Sequence, residues 1–173
     1  MAIVIKADIS KEIKPFKKDL IKDCVKDRIY DSTIYNSNNY PIKTKHIKKL
    51  YKILLQYCNK HLNKFTIKDK NFKVWCYYSD DKFNQGNWHN HINTCTINAV
   101  LYLKIPKENL GIAFRHNGET VTYKPKVGEL LIFPNYLEHF PYPSKNKNSR
   151  ITLNLEIKCN EQPDQIFKIP NVN

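Results

Sequence analysis

Short runs of β-branched and aromatic residues, separated by turn-forming residues, dominate the chain from residue 72 to residue 158. The runs read FKVWCYYS, TINAVLYLKI, GIAFRH, ETVTYK, ELLIF, LEHFP and RITLNLEIK. Runs of this kind form strands, and the separators NQGN, PKEN, HNGE and KPKVG carry the Asn, Gly and Pro residues typical of turns. The Asn-Gly pair of HNGE predicts a hairpin with a type I′ turn, because both residues tolerate positive φ. So many short strands in succession predict a β-sandwich or a barrel-like jelly roll.

The N-terminal part of the chain is predicted to be helical. Between residues 12 and 27, apolar residues recur every three or four positions, which is the period of a helix with one buried face. Pro15 would lie near the start of this helix, where its missing N–H costs no hydrogen bond. A second apolar stripe predicts another helix over 46–62, and the run IVIKADI near the N-terminus predicts a strand that extends the sheet.

We therefore expect a mainly β fold, a jelly roll with two packing helices, in a single domain over residues 1–173. The helical support would span residues 10–65, and the β core would span residues 72–158. The interior of this core is expected to include Phe114, Ile132, Phe133 and Leu153.

Composition argues against several classes of protein. The chain of 173 residues has no apolar run of about 18 residues, so we expect no membrane span. Its first residues, MAIVIKADI, turn charged too early for a secretory signal. The five cysteines are scattered and never spaced as CxxC, which predicts reduced, mostly buried thiols in the cytoplasm.

The formal net charge of +13 raises the question of nucleic-acid binding. The excess is almost all lysine, since the only arginines are Arg28, Arg115 and Arg150. Dispersed lysines without an arginine-rich or aromatic-interleaved patch are weak support for a nucleic-acid footprint. We therefore expect no nucleic acid among the partners.

The stretch NWHNHIN, residues 87–93, places two histidines one residue apart. On a strand, residues i and i+2 point to the same face about 6.6 Å apart, so His89 and His91 could aim at one metal ion. A third ligand must come from another strand, and the candidates are His116 and His139. We select His139, because His116 lies beside a hairpin turn, whereas His139 lies in an apolar segment where an unpaired polar group is costly to bury.

Arg150 begins the last predicted strand, RITLNLEI. An arginine in an apolar strand is costly unless its planar fork meets a carboxylate or phosphate, although a surface salt bridge is the simpler explanation. Thr152 shares its face and could add a hydroxyl. A metal site with an anion clamp beside it suggests a ligand that has a metal-chelating head and an acidic tail.

The C-terminal hundred residues resemble the Fe(II)/2-oxoglutarate-dependent oxygenases. The resemblance runs from VWCYYSDDKFNQGNWHNH through TINAVLYLKIP and GELLIFPNYLEHFPYPS to SRITLNLEI, roughly residues 72–158. It is strongest to the small 2OG-Fe(II) oxygenases whose first motif is HxH, and the prolyl hydroxylases are more distant relatives. The resemblance implies a double-stranded β-helix of the cupin-like, jelly-roll kind and a dioxygenase that hydroxylates its substrate with O₂.

The resemblance also assigns roles to individual residues. It implies that Fe(II) is held by His89, His91 and His139. It implies that the C5 carboxylate of 2-oxoglutarate is bound by Arg150, Thr152 and Tyr102, with Asn98 in the same pocket.

His91 departs from the pattern of most of the superfamily, which has a carboxylate at this position. Imidazole in place of the acid leaves the metal one unit more positive, which puts the identity of the ion in question. A ligand from Asp80 or Asp81 would restore the charge. The alternative is a cupin-type metal enzyme, or a metal-binding module, that does not use 2-oxoglutarate. The usual cupin glutamate a few residues after HxH is absent.

The substrate is predicted from the segments expected to surround the site, residues 30–43, 79–87 and 107–111. These segments are polar and rich in tyrosine, which favours a protein or peptide side chain over a small metabolite. The sequence leaves a homodimer open.

Overall fold

Most of the antiparallel strands in the computed structural model follow the runs predicted from the sequence; the exception is the short strand Asn39–Pro41, which no predicted run contained. The structure describes residues 3–27, 39–81, 86–108, 110–144 and 147–167. The strands are β1 (Ile5–Asp8), β2 (Asn39–Pro41), β3 (Val74–Ser79), β4 (Ile97–Lys104), β5 (Ile112–His116), β6 (Glu119–Tyr123), β7 (Glu129–Pro134), β8 (Glu138–Pro141) and β9 (Arg150–Ile157). The helices are α1 (Ser10–Ile13), α2 (Lys17–Lys26), α3 (Ile47–His61) and α4 (Pro163–Ile166).

The strands form two sheets. The larger sheet has six strands in the order β1-β7-β4-β9-β3-β2, and the smaller has three in the order β6-β5-β8. Neighbouring strands pair antiparallel throughout the described residues. An apolar cluster that joins Val100 and Phe133 of the larger sheet to Ile112 and Phe114 of the smaller one fills the space between them. The predicted jelly roll is confirmed.

The helices cover the opposite face of the larger sheet. Leu20 of α2 and Leu50 and Leu54 of α3 are buried in the same cluster as alternate residues of the sheet. Ile132 and Leu153 belong to this helix-facing cluster, so their predicted place in the interior between the sheets is wrong. Alternation along a strand is the reason: Phe133 faces the space between the sheets, so its neighbour must face the helices.

The helix predicted over residues 12–27 is two helices. α1 ends at Ile13 and α2 begins at Lys17, with Pro15 between them. Proline cannot donate the hydrogen bond of a helix interior, and its ring clashes with the preceding turn. α3 matches the predicted helix at 46–62. None of the helices in the described part of the chain is long and apolar enough to cross a membrane.

Two smaller predictions are also confirmed. All five cysteines are buried and free of disulfides. The β5–β6 hairpin turns at Asn117 and Gly118, whose φ values of 50° and 81° are both positive, as a type I′ turn requires.

Gly111, just before β5, has a φ of +83°, and a Cβ there would lie 1.8 Å from the carbonyl oxygen of Tyr123. Gly118 has a φ of +81°, but a Cβ there would meet open space, with nothing within 4 Å. Gly118→Ala is therefore expected to cost only the backbone strain, about 1–2 kcal/mol. Gly111→Ala should cost more, because the clash with backbone adds to the same strain. Chemical unfolding of the two variants measures the difference, and equal losses of stability would contradict it.

Candidate active site

Backbone hydrogen bonds hold the HxH segment against β8. His89 N donates to His139 O at 3.1 Å, and His139 N donates to His89 O at 2.9 Å. His91 N donates to the carbonyl oxygen of Asn135 at 2.8 Å. The segment makes only this isolated bridge and then turns, so the regular strand expected at HxH is not formed. The pairing with β8 nevertheless brings the first two histidines next to the third.

The rings of His89, His91 and His139 converge. Their centroids are 4.2 to 5.3 Å apart, and one ligand nitrogen from each ring lies within 4.8 Å of the others. His116 is not in this group; its ring lies 5.8 Å from that of Tyr136 at the hairpin. Asp80 and Asp81 are absent from the metal-binding groups found among the described residues.

Each of the three rings is hydrogen-bonded through Nδ1. The partners are the carbonyl oxygen of Asn87 at 3.0 Å for His89, Oε1 of Glu156 at 2.8 Å for His91, and the carbonyl oxygen of Leu137 at 3.1 Å for His139. Carbonyl and carboxylate oxygens only accept, so Nδ1 must carry the proton in all three rings. In a neutral ring Nε2 is then the unprotonated nitrogen, which is the state that a metal ion requires.

Burial favours the neutral imidazoles of His89 and His139. It places the pKa of His139 well below its usual value, and the neighbouring rings of His89 and His91 lower it further. The pKa of His89 is also lowered, chiefly by burial, against the hydrogen bond to Asn87. Three imidazoles whose Nδ1 atoms are hydrogen-bonded, with Nε2 left to coordinate, form a donor set that fits a divalent transition metal such as iron.

Glu156 forms a second group of ligand-type atoms together with His91 and Cys95. Burial raises the pKa of Glu156, but hydrogen bonds from His91, Thr94 and Asn154 outweigh it, so the pKa is lowered and the carboxylate stays ionised. Burial and the charge of Glu156 raise the pKa of the Cys95 thiol. Because metals bind thiolates, a thiol held protonated in this way makes the second group a poor metal site.

Arg150 is only 2% exposed and lies on the same strand face as Glu156. Its Nη1 donates to the carbonyl oxygens of Gly111 and Tyr142, and its Nη2 donates to the hydroxyl of Tyr102 at 3.3 Å. Its Nε has no hydrogen-bond partner. Among the described residues no carboxylate pairs with this guanidinium. A buried arginine that lacks an anion has the chemistry to bind one.

Of the other three residues predicted to bind the cosubstrate, only Thr152 is among the residues that line the cleft. Thr152 lines the same cleft as Arg150. Tyr102 is fully buried and touches Arg150 instead of lining the cleft, and burial raises its pKa to about 12 despite the nearby guanidinium. Asn98 is also fully buried, and neither atom of its amide has a hydrogen-bond partner.

One cleft of about 190 Å³ connects the histidines and Arg150. Drug-sized ligand pockets are larger, about 300–1,000 Å³, so this volume suits a small dicarboxylate. Its lining residues are Asn39, Tyr77, Asn87, His89, His91, Val100, Ile112, His139, Pro141, Arg150, Thr152 and Asn154.

Glu156 and Asn154 are two polar site residues that the sequence analysis missed. Both lie on β9 with Arg150 and Thr152, at alternate positions of the run RITLNLEI. Alternation alone places these side chains on one face, so four polar residues at every second position were the available signal. Of the segments expected to surround the site, residues 30–38, 82–85 and 109 lie outside the described residues.

Residues 73–156 match the model of the family described as "Putative 2OG-Fe(II) oxygenase". No curated protein sequence matches the chain. The match contains β3 to β8 and nearly all of β9, together with the three histidines and Arg150. It bears out, over this part of the chain, the resemblance that the sequence motifs predicted.

Several solved structures share the fold. A viral collagen prolyl hydroxylase from Paramecium bursaria Chlorella virus-1 is 19% identical with a TM-score of 0.64, over 92% of this chain and 90% of that one. A Trichoplax adhaerens prolyl hydroxylase, in complex with a hypoxia inducible factor peptide fragment, is 14% identical with a TM-score of 0.59, over 91% and 84%. The carbocyclase SnoK from nogalamycin biosynthesis is 10% identical with a TM-score of 0.63, over 94% and 83%. At these identities the likeness shows the fold.

Proposed function

We propose that this 2OG-Fe(II) dioxygenase binds its iron through His89, His91 and His139 and hydroxylates a side chain of a peptide or protein. The observation that carries the proposal is one cleft that holds three imidazoles with their Nδ1 atoms engaged and a buried arginine whose Nε is unpaired. The first group would take the metal, and the second would take the far carboxylate of 2-oxoglutarate.

The protein residues hold and shield the reacting groups. Bound iron with 2-oxoglutarate would supply the activation of O₂ that the chain's own side chains cannot supply. In each of the three imidazoles, a hydrogen bond at Nδ1 fixes the orientation of the ring. The other ring nitrogen, Nε2, is thereby held in a fixed direction for the metal. Phe133 and Phe114, whose ring centroids lie 5.0 and 5.9 Å from that of His139, exclude water from one side of the site.

Arg150 would orient the cosubstrate. Its Nη1 is committed to two backbone carbonyls, which hold the guanidinium in place. Nε and Nη2 form the edge that can bind both oxygens of a carboxylate, and Nε is the donor left unpaired. Thr152 lies two residues further along the same strand face and can add its hydroxyl to the same carboxylate. Tyr102 would act through Arg150, since its hydroxyl accepts from Nη2.

The peptide substrate is supported by the aromatic side chains near the cleft. The ring centroid of Phe140 lies 5.7 Å from that of Trp88 and 5.2 Å from that of Tyr142. The guanidinium carbon of Arg115 lies 4.6 Å from the centroid of the Trp88 ring. An aromatic surface with a charged group beside it suits a chain of peptide bonds and apolar side chains. Two of the structurally similar proteins are named as prolyl hydroxylases, which makes proline-containing peptides the first probes.

A small metabolite is the second candidate substrate, favoured by the likeness to SnoK, an enzyme of nogalamycin biosynthesis. A homodimer and a cytoplasmic location stay predictions from the sequence.

The proposed reaction is tested by succinate formation from 2-oxoglutarate with the purified chain. We expect turnover that needs both Fe(II) and O₂. The rate should increase when a compound that the enzyme can hydroxylate is present. Mass spectrometry of a peptide library and of a metabolite mixture, incubated in parallel, would identify products heavier by one oxygen atom. Fe(II)-loaded protein that forms no succinate, and does not bind 2-oxoglutarate, would contradict the proposal.

A further inference from the structure

We propose that Glu156 supplies, from behind His91, the negative charge that a carboxylate ligand supplies in the usual centre of two histidines and one acid. Glu156 would thereby set the affinity of the site for its metal and the reduction potential of that metal. The inference rests on the function proposed above, because it requires an ion on the three histidines.

The carboxylate of Glu156 is held by three donors. Its Oε1 accepts from His91 Nδ1 at 2.8 Å, from Thr94 Oγ1 at 3.1 Å and from Asn154 Nδ2 at 3.2 Å. Three hydrogen bonds on one oxygen fix its position relative to the imidazole. The carboxylate is therefore a built part of the site and not a side chain that meets His91 by chance.

The backbone of Glu156 is fixed as well. Its N–H donates to the hydroxyl of Tyr51 at 3.1 Å, and that hydroxyl lies 3.0 Å from the carbonyl oxygen of Glu156. The same hydroxyl donates to the carbonyl oxygen of Lys73 at 2.6 Å, which ties α3 to the start of β3 as well as to β9. The residue is thus anchored by the helix layer on one side of the sheet while its side chain holds His91 on the other.

Charge arithmetic gives the reason for this arrangement. Three neutral imidazoles leave a divalent ion with its full +2 charge, whereas two imidazoles and one carboxylate leave +1. His89 and His139 direct Nδ1 to backbone carbonyls, so among the described residues Glu156 alone pairs a carboxylate with the three rings. A carboxylate hydrogen-bonded to Nδ1 makes the imidazole a stronger donor to the metal through Nε2. The missing acid ligand is in this way replaced by a carboxylate one residue removed from the metal.

The experiment compares Glu156→Gln, Glu156→Ala and the matched control Glu119→Gln. The glutamine keeps the shape and an accepting oxygen but loses the charge, and the alanine loses both. Glu119 is exposed on β6, so its variant has the same change in net charge without touching the site. Cobalt(II) is titrated into the metal-free proteins and followed by its visible absorption, and thermal unfolding of the metal-free proteins reports folding separately.

We expect the affinity for cobalt to fall about 10-fold in Glu156→Gln and towards 100-fold in Glu156→Ala, with no change in Glu119→Gln. With saturating iron, the Fe(III)/Fe(II) potential should be higher in Glu156→Gln than in the wild type, because a nearby negative charge stabilises the ferric ion. An effect on folding alone would leave that potential unchanged, and an unchanged potential overturns the inference.

The remaining outcomes separate the two proposals. Equal cobalt affinity in the wild type and both Glu156 variants overturns this inference and leaves the proposed function standing. A wild-type protein that binds no cobalt overturns both. A thiolate-to-cobalt charge-transfer band in the wild type would show that the ion binds a cysteine, as in the group of His91, Cys95 and Glu156, and not the three histidines, which also overturns the inference.

Discussion

Replacing Arg150 by alanine is expected to raise the KM for 2-oxoglutarate about 100-fold or more while leaving the metal affinity close to that of the wild type. The guanidinium is 2% exposed and its Nε is unpaired, so a carboxylate bound there would be held by charge-assisted hydrogen bonds in a site sheltered from water. Loss of such bonds costs about 3 kcal/mol, which corresponds to roughly 100-fold in binding.

Arg150→Lys separates charge from geometry. Lysine keeps the positive charge but lacks the planar fork, so we expect a KM between those of the wild type and the alanine variant. Lys158→Ala is the matched control, since it removes one positive charge just beyond the end of β9 at an exposed position. The measurement is succinate release as a function of 2-oxoglutarate concentration at saturating iron. A KM that is unchanged in Arg150→Ala would remove the assigned clamp.

Replacing His139 by alanine is expected to weaken metal binding by more than about 100-fold and to abolish succinate formation. A directly bound ligand should matter more than a residue behind a ligand, for which losses of about 10- to 100-fold are typical. His139 is 3% exposed and its backbone pairs with that of His89 through two hydrogen bonds, so the residue links the HxH segment to β8 as well. The backbone bonds are retained in the alanine variant.

His116→Ala is the natural control for this prediction. His116 was the rival third ligand in the sequence, and it lies at the hairpin beside Tyr136 instead of at the site. Calorimetric titration of metal into both variants measures the difference, and we expect His116→Ala to match the wild type. Loss of metal binding in His116→Ala with retention in His139→Ala would contradict the assignment.

Local rules were sufficient to predict the hairpin and all of the described strands except β2. Strands follow from runs of β-branched and aromatic residues, and the hairpin turn follows from residues that tolerate positive φ. Both signals depend on only a few neighbouring residues. The same rules identify which side chains share a face. In β7, alternation places Ile132 and Phe133 on opposite faces of the sheet. The prediction that both side chains lie between the two sheets did not take this alternation into account.

The parts of the site that the sequence could not predict depend on contacts between distant segments. Glu156 meets His91 across 65 positions of sequence, and no spacing rule connects the two. The HxH segment is held by the backbone of His139 and Asn135 and not by a regular strand of its own. Tyr102 could be assigned to the cosubstrate carboxylate from the resemblance, but its contact with Arg150 depends on the register of β4 against β9.

A crystal structure with manganese(II) and 2-oxoglutarate would test the central claim most directly. We expect one anomalous peak within bonding distance of Nε2 of His89, His91 and His139, and a carboxylate of 2-oxoglutarate on Nε and Nη2 of Arg150. Manganese bound elsewhere, for example to Glu156 and Cys95, or a dicarboxylate that does not touch Arg150, would contradict it.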